Sequence, residues 1–200
     1  GRVNIIGEHT DYNQGLAIPA AIDKWIITLL SRRDDSYINV YSINYKKRKK
    51  FNFNQLDTSE ELWERYIKAT LFVIKSEYNL ELGFNFLIGG NIPIGFGMSS
   101  SAALEVSIVS SILGLCSLDY DNYKILKICN IVEKEILGIN SGMLDQYASI
   151  FSVKNKFLLI DFSKIEHQYF KNDIQGSSWV LINSMVKRNL IDSEYNNRVD

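Results

Sequence analysis

The chain is organised around the segment Pro93-Ile94-Gly95-Phe96-Gly97-Met98-Ser99-Ser100-Ser101-Ala102-Ala103-Leu104-Glu105, in which a glycine-rich turn leads through three serines into an apolar helix. The first N–H groups of a helix have no intrahelical acceptor and lie at the positive end of the helix dipole. Glycines let the backbone approach a ligand without an intervening Cβ, and serine hydroxyls add hydrogen bonds or reach a metal ion. The segment therefore predicts a phosphate site. The alternative is a loop that only turns a strand into a helix.

Neither of two common phosphate-binding patterns fits this segment. No Lys follows the glycines, as G-x-x-x-x-G-K-[ST] requires, and the third Gly of G-x-G-x-x-G is absent. The interpretation of this segment therefore depends on the residues that flank it.

The N-terminal part combines a short strand with a polar loop. Val3 to Ile6 is an apolar run that predicts a strand, and Gly7 ends it. Glu8, His9 and Asp11 follow in a loop rich in hydrogen-bonding side chains. Carboxylates accept from two hydroxyls at once, which suits a polyhydroxylated ligand. An exposed turn is the alternative.

Apolar runs predict five further strands in addition to the run at Ala17 to Ile22. They are Lys24 to Ser31, Tyr37 to Ile43, Gly83 to Ile88, Phe157 to Phe162 and Trp179 to Asn183. Five consecutive cations occupy residues 46–50. Because strand-like segments flank them, we expect a solvated hairpin end rather than a nucleic-acid patch.

Besides the serine helix, three helices are predicted. Thr58 and Glu61 fit a capping box that opens a helix to about Ser76, whose aromatic residues are more typical of core than of a base platform.

Asp121 can cap the next helix, whose apolar stripe runs to Ile136 and which ends at Gly138. Glu133 lies one residue off that stripe, so a surface carboxylate is expected.

The last predicted helix begins near Asn140 or Ser141 and carries Asp145 in its first turn. A carboxylate there is either a partner of the helix dipole or a half-buried group held for chemistry.

Composition narrows the class of protein. The 200 residues carry a net charge of −1, which gives no bulk attraction to nucleic acid or anionic membrane. We find no apolar run of about 18 residues for a membrane span. Cys116 and Cys129 lie in apolar helical patterns, which favours a reducing cytosol and a cytoplasmic location. Only two histidines are present, so neither a Cys/His metal cluster nor a Ser-His-Asp set is supported. Because the chain opens without Met and stops in a polar segment, we expect a fragment of a longer protein.

Four segments together resemble the galactokinases of the GHMP kinase superfamily. Residues 1–13 resemble their sugar-binding signature, and Pro93 to Ala103 is similar to the phosphate motif of the superfamily. Asn140 to Tyr147 and Ser193 to Arg198 match two further segments in the same order. The resemblance implies an α+β fold of the ribosomal protein S5 domain 2-like type for an N-terminal lobe at residues 1–165. Residues 166–200 would lead into a C-terminal lobe.

The resemblance also implies roles for single residues. Asp145 would be the catalytic base at the sugar C1 hydroxyl, with Arg2 beside the transferring phosphoryl group. Galactose would be bound by Glu8, His9, Asp11, Gly142 and Tyr195. ATP would be bound by Gly95, Gly97, Ser99, Ser100, Ser101, Ala102 and Trp63, the last near the adenine. Ser100 and Glu133 would hold Mg²⁺.

Departures from the family pattern are few. Phe96 and Met98 stand where small residues and Leu are commoner, and Arg188 stands where many relatives carry His. The family's glycine-rich C-terminal motif is absent, so we expect activity to belong to the full-length protein.

The expected function is ATP-dependent phosphorylation of D-galactose at C1. We expect no nucleic-acid or membrane partner. We also expect a monomer, with an oligomer as the alternative. An N-acetylgalactosamine kinase is the nearest alternative. A catalytically silent sensor that binds sugar and ATP and regulates transcription is a second one, although Ser101-Ala102 is intact here. The third is a structural or binding module with accidental motifs.

Overall fold

A computed structural model describes residues 1–56, 61–173, 176 and 179–182. In these residues the strands are β1 (Arg2–Ile6), β2 (Leu16–Ala21), β3 (Ile26–Arg33), β4 (Tyr37–Ser42), β5 (Lys47–Asn52), β6 (Gly83–Gly90), β7 (Lys156–Asp161) and β8 (Glu166–Lys171). The helices are α1 (Leu62–Tyr78), α2 (Ser100–Leu115), α3 (Asn122–Ile131) and α4 (Leu144–Phe151), and a π-helical turn (Val132–Ile136) follows α3.

The first sheet has the strand order β1-β2-β7-β8, and every neighbouring pair in it is antiparallel. The pairing of β1 with β2 shifts register between Asn4 and Ile6. Helix α4 packs on this sheet, and Tyr147 is fully buried there against Leu158 and Ile160. The strand that carries Arg2 and the helix that carries Asp145 are thus held by one core.

The second sheet has the order β3-β6-β4-β5, with β4 and β6 parallel. Residues 34–36 join β3 to β4, but β6 lies between these two strands in the sheet, so they are not neighbours. Buried Phe84 and Phe86 on β6 face α1 and α2 in the larger core. Helix α2 is apolar on nearly all sides, as a helix enclosed by other elements must be. Its enclosure fixes the position of its N-terminus.

Several predicted elements are corrected by the structure. Lys46 lies in the turn of the β4–β5 hairpin, as predicted, but residues 47–50 continue into β5. β5 is an edge strand, where lysines hinder pairing with further strands. Residues 179–182 form no strand, and Asn183 lies outside the described residues. β8 was not predicted.

Helix starts also differ from the prediction. Glu61 is the N-cap of α1 but makes no side-chain capping hydrogen bond, and Thr58 lies outside the described residues. Asp121 caps α3 as predicted, because its side chain accepts from the Lys124 N–H. The N-cap of α4 is Met143, two residues beyond Ser141. In the part of the chain that is described, no helix is long and apolar enough to cross a membrane.

Candidate active site

The serine loop enters α2 through backbone conformations that favour glycine. Gly95 and Gly97 have φ angles of 79° and 72°, and the N-cap Ser99 has a φ of 57°. A Cβ at Gly97 would meet nothing within 4 Å, so glycine is needed there for its dihedral angle and the outer side of the loop is open. The Ser99 hydroxyl is buried and has no hydrogen-bond partner in the structure. The loop therefore offers backbone N–H groups and an open approach at the start of α2.

Arg2 joins this loop to α4. Its Nε donates to Asp145 Oδ1 at 2.6 Å, and a terminal guanidinium nitrogen lies 2.5 Å from the same oxygen. The other terminal nitrogen donates to the Gly97 carbonyl at 2.9 Å. The side chains of Arg2 and Asp145 are only 17% and 28% exposed. One arginine thus links the predicted base to the predicted phosphate loop.

Asp11 lies beside the start of the same helix. Its Oδ2 accepts from the Leu144 N–H at 3.2 Å, so a carboxylate from the N-terminal loop partners the first turn of α4. Burial raises the pKa of Asp11, and the nearby Asp145 adds to the rise, whereas backbone N–H groups oppose it. A Cβ on Gly142 would overlap the Asp11 carboxylate. Asp11, Gly142 and Asp145 are therefore neighbours, as a shared sugar site requires.

Glu8 and His9 are exposed in the same loop. Asn4 donates to Glu8 Oε1 at 3.0 Å, and His9 Nδ1 lies 2.6 Å from the Tyr12 hydroxyl. The Thr10 hydroxyl donates to the carbonyls of Gly7 and Leu16, which holds the loop closed. Tyr195 lies outside the described residues, so its predicted place beside the sugar stays a prediction.

Glu133 is buried, with 4% exposure, so the expectation of a surface carboxylate is wrong. Glu133 follows buried Cys129 by four residues and buried Leu126 by seven, so helical spacing places it on an inward face of α3. In the π-helical turn that follows, the Leu137 N–H bonds to the Val132 carbonyl, five residues back. Such a turn holds one extra residue, which rotates the following residues around the axis. Accordingly Leu137 is buried and Ile136, predicted to face the core, is 39% exposed.

A hydrogen-bonded network surrounds Glu133. Ser141 Oγ donates to Glu133 Oε2, and the Gln146 side chain bonds to Glu133 and donates to Glu105 Oε2 at 3.2 Å. Burial raises the pKa of Glu133 to about 7, and Asp145 adds to the rise, although Ser141 and Gln146 oppose it. Sequence analysis missed Glu105 and Gln146. The available signal was a single acidic residue in the apolar serine helix, four positions after Ser101.

A cleft of about 630 Å³, including its open mouth, adjoins the start of α2. Its walls include Tyr45, Trp63, Ile92, Leu104, Ser100 and Ser101. The rings of Tyr45 and Trp63 are stacked, with centroids 5.4 Å apart. Trp63 Nε1 donates to Glu61 at 2.9 Å, and Glu61 pairs with Lys47 and Lys49. The cleft therefore connects an aromatic wall with the predicted phosphate loop.

Two family models match the chain. The N-terminal domain of GHMP kinases matches residues 65–153, and the galactokinase galactose-binding signature matches residues 1–32. A galactokinase of Fusobacterium nucleatum is 36% identical over 99% of the chain, and one of Staphylococcus carnosus is 35% identical over 100% of it. The chain spans about half, 52%, of the length of each of these curated relatives.

Solved structures of kinases are also similar to this chain. A crystal structure of Lactococcus lactis galactokinase complexed with galactose is 32% identical, with a TM-score of 0.92 over all of this chain and 52% of that one. The mevalonate kinase of Methanococcus jannaschii shares the fold, with a TM-score of 0.70 at 22% identity over 85% of this chain and 53% of its own.

Proposed function

The chain belongs to the galactokinase family of the GHMP kinase superfamily, and on that premise we propose that its protein transfers the γ-phosphoryl group of ATP to the C1 hydroxyl of D-galactose. The products are galactose 1-phosphate and ADP. The observation that carries the proposal is the position of Arg2, which contacts Asp145 and the Gly97 carbonyl at once. This contact supports a sugar-facing carboxylate and a phosphate loop that act on opposite sides of one cleft.

Phosphoryl transfer needs alignment of the reactants and neutralisation of charge more than covalent help. Arg2 supplies positive charge between the loop and α4, and the N–H groups at the start of α2 bind phosphate oxygens. Asp145 accepts or orients the proton of the C1 hydroxyl. General-base help of this kind contributes about 10²–10⁴-fold to the rate.

The sugar is held by side chains of the N-terminal loop and the start of α4. The backbone N–H groups of Leu144, Asp11 and Tyr12 fix the Asp11 carboxylate. Because each carboxylate oxygen has two lone pairs, it can accept a further hydrogen bond from a sugar hydroxyl. Gly142 leaves room for the Asp11 carboxylate, because any side chain at position 142 would overlap it. Glu8, His9 and Tyr195 complete the proposed set.

ATP is the phosphoryl donor that the family implies. Its adenine fits the cleft beside Trp63, and its phosphates lie along the loop and the first turn of α2. The residues proposed to hold it there are Gly95, Gly97, Ser99, Ser100, Ser101 and Ala102. The stacked Tyr45 fixes the Trp63 ring, which can then pack against a base.

Glu133 and Ser100 carry the oxygen ligands that suit Mg²⁺. Burial raises the pKa of Glu133 and the nearby Asp145 and Asp11 add to the rise, so a cation would relieve the repulsion between these carboxylates. The described residues contain no group of three acidic, His or Cys side chains that could enclose a metal. Mg²⁺ commonly uses one or two carboxylates and completes its shell with water and substrate phosphates. Glu133 and Ser100 would hold the ion, which would neutralise charge on the ATP phosphates.

The proposal extends to the whole protein. We propose that residues 1–165 form its N-terminal lobe, whose first sheet β8 completes, and that the chain after β8 leads toward a second lobe. We also propose that the protein is a cytoplasmic monomer. An N-acetylgalactosamine kinase is the nearest alternative, because it needs only more room around the sugar C2 group. A silent sensor is disfavoured by the intact serine loop and by the pairing of Arg2 with Asp145.

The test is ADP release by the full-length protein with ATP, Mg²⁺ and a panel of sugars: D-galactose, N-acetylgalactosamine, D-glucose and D-mannose. We expect the highest kcat/KM with D-galactose. Faster turnover of N-acetylgalactosamine would assign the alternative specificity. Binding of galactose and ATP without ADP release would favour the sensor.

A further inference from the structure

Glu105 is buried completely within α2, with 0% exposure. One of its oxygens, Oε2, accepts from Gln146 Nε2 at 3.2 Å. Its other oxygen, Oε1, is buried without a partner, and so is Oε1 of Gln146. Two unpartnered acceptors thus belong to two side chains that already touch each other.

The surroundings of Glu105 disfavour a negative charge. The titratable groups that face it are acidic or neutral: Glu133 in the π-helical turn, Asp145 on α4, Cys129 on α3 and Tyr66 on α1. No ion pair of Glu105 is found among the described residues. Burial raises its pKa well above the ordinary value for Glu, and Glu133 and Asp145 add to the rise. A buried carboxylate with a single neutral donor would be strongly unfavourable.

We propose that Glu105 is a neutral carboxylic acid that pairs with the Gln146 amide and thereby positions Gln146 toward Glu133. One proton on Glu105 Oε1, donated to Gln146 Oε1, satisfies both unpartnered acceptors at once. The acid carbonyl oxygen accepts from the amide N–H in return. The two groups then form a cyclic pair with a donor and an acceptor on each side.

This pair fixes the orientation of the Gln146 amide, that is, the positions of its oxygen and its nitrogen. With Oε1 turned to the Glu105 hydroxyl, Nε2 is free to donate to both Glu105 and Glu133. Glu105 is therefore a positioning residue, which acts on Glu133 through Gln146. The consequence for Mg²⁺ rests on the proposed function, but the protonation of Glu105 does not.

The experiment compares Glu105→Gln with Glu105→Leu in the full-length protein. Glutamine reproduces the neutral acid, since its NH₂ donates where the hydroxyl did and its carbonyl accepts. Leucine fills a similar volume but leaves the Gln146 amide without its partner. Thermal unfolding is measured from pH 5 to pH 8, and infrared spectra are recorded in the carboxylic-acid carbonyl region.

We expect Glu105→Gln to fold and to melt at or above the wild-type temperature at pH 8. The sign follows from proton linkage: the folded wild type binds a proton that the unfolded chain releases above the ordinary pKa of Glu. Wild-type stability therefore falls as pH rises toward the raised pKa, and glutamine has no proton to lose. The difference in melting temperature between Glu105→Gln and wild type should become smaller toward pH 5. The wild-type spectrum should contain a protonated-acid band that is absent in Glu105→Gln.

The positioning role is read from Mg²⁺ affinity in the presence of ADP, measured by titration calorimetry. Glu105→Leu should weaken it about 10- to 100-fold, as loss of a group behind a metal ligand does, and Glu105→Gln should restore it. If the leucine variant does not fold, Gln146→Leu removes the same amide and should show the same loss.

A Glu105→Gln variant that fails to fold, melts below wild type at pH 8 or retains the protonated-acid band would overturn the proposal. Equal Mg²⁺ affinity in the glutamine and leucine variants would overturn the positioning role. Absence of kinase activity would contradict the proposed function. The unfolding and infrared measurements would still test the protonation of Glu105.

Discussion

Replacement of Asp145 by Asn tests whether this carboxylate takes part in the reaction. In the structure Asp145 Oδ1 accepts two guanidinium N–H groups of Arg2, at 2.6 and 2.5 Å. Asparagine keeps an acceptor oxygen for Arg2 but has no charge and cannot accept a proton. A charged hydrogen bond contributes about 1.5–3 kcal/mol and a neutral one about 0.5–1.5 kcal/mol, so the fold should lose only about 1 kcal/mol.

The rate should fall far more than the stability. Loss of a general base lowers turnover about 10²–10⁴-fold, which corresponds to about 3–5 kcal/mol of transition-state stabilisation. Galactose binding should change little, because Asp11 and Gly142 are unaltered. The assay is kcat and KM from ADP release, with galactose affinity from calorimetry and stability from thermal unfolding.

Asp23→Asn is the matched control, since the Asp23 side chain is 92% exposed. It should leave kcat and the melting temperature unchanged. Turnover of Asp145→Asn within a few-fold of wild type would remove Asp145 from the mechanism. A parallel loss of turnover and folding would mean that the residue acts only on structure.

Three further changes separate the parts of the site. Gly142→Ala should raise KM for galactose with a smaller effect on ATP affinity, measured by steady-state kinetics, because the new Cβ overlaps Asp11. Trp63→Leu should weaken ADP binding about 5- to 150-fold through the lost aromatic stacking, measured by calorimetry, whereas Trp25→Leu, at a 51% exposed position, should not. Hydrogen bonds, first from Lys49, lower the pKa of Glu61 to about 2. Its stabilisation is therefore present above the ordinary pKa and lost as pH falls toward 2, so the melting gap between wild type and Glu61→Gln should close over that range. The first expectation is contradicted if Gly142→Ala has the wild-type KM for galactose, and the second if Trp63→Leu binds ADP as tightly as wild type. The third is contradicted if the difference in melting temperature between wild type and Glu61→Gln does not change with pH.

The sequence patterns were sufficient for most elements of the fold. Periodicity predicted β1, β6, β7 and the serine helix, and Asp121 marked the start of α3 through its capping side chain. Structural matches confirm the expected α+β fold. Local patterns could not show that β6 lies between β3 and β4, because strand order depends on contacts between segments distant in the chain.

The candidate site was predicted only in part. Arg2, Asp145 and the loop at Gly97 meet, as the resemblance implied. The burial of Glu133 was missed because the predicted core face ran through Ile136, which the π-helical turn leaves exposed, whereas buried Leu126 and Cys129 share a face with Glu133. Glu105 and Gln146 were missed because a neutral acid–amide pair depends on a contact across 41 residues. These residues lie where the local pattern and the buried environment disagree, which is typical of functional sites.

The most direct measurement is the position of the phosphate on the product. The full-length protein is incubated with ATP, Mg²⁺ and D-galactose, and the sugar phosphate is examined by phosphorus and proton NMR. We expect one product, whose phosphorus couples to the anomeric proton at C1, because Asp145 and Arg2 are proposed to face the C1 hydroxyl across from the serine loop. Phosphate on any other hydroxyl, or no sugar phosphate from a folded protein that binds both substrates, would contradict it.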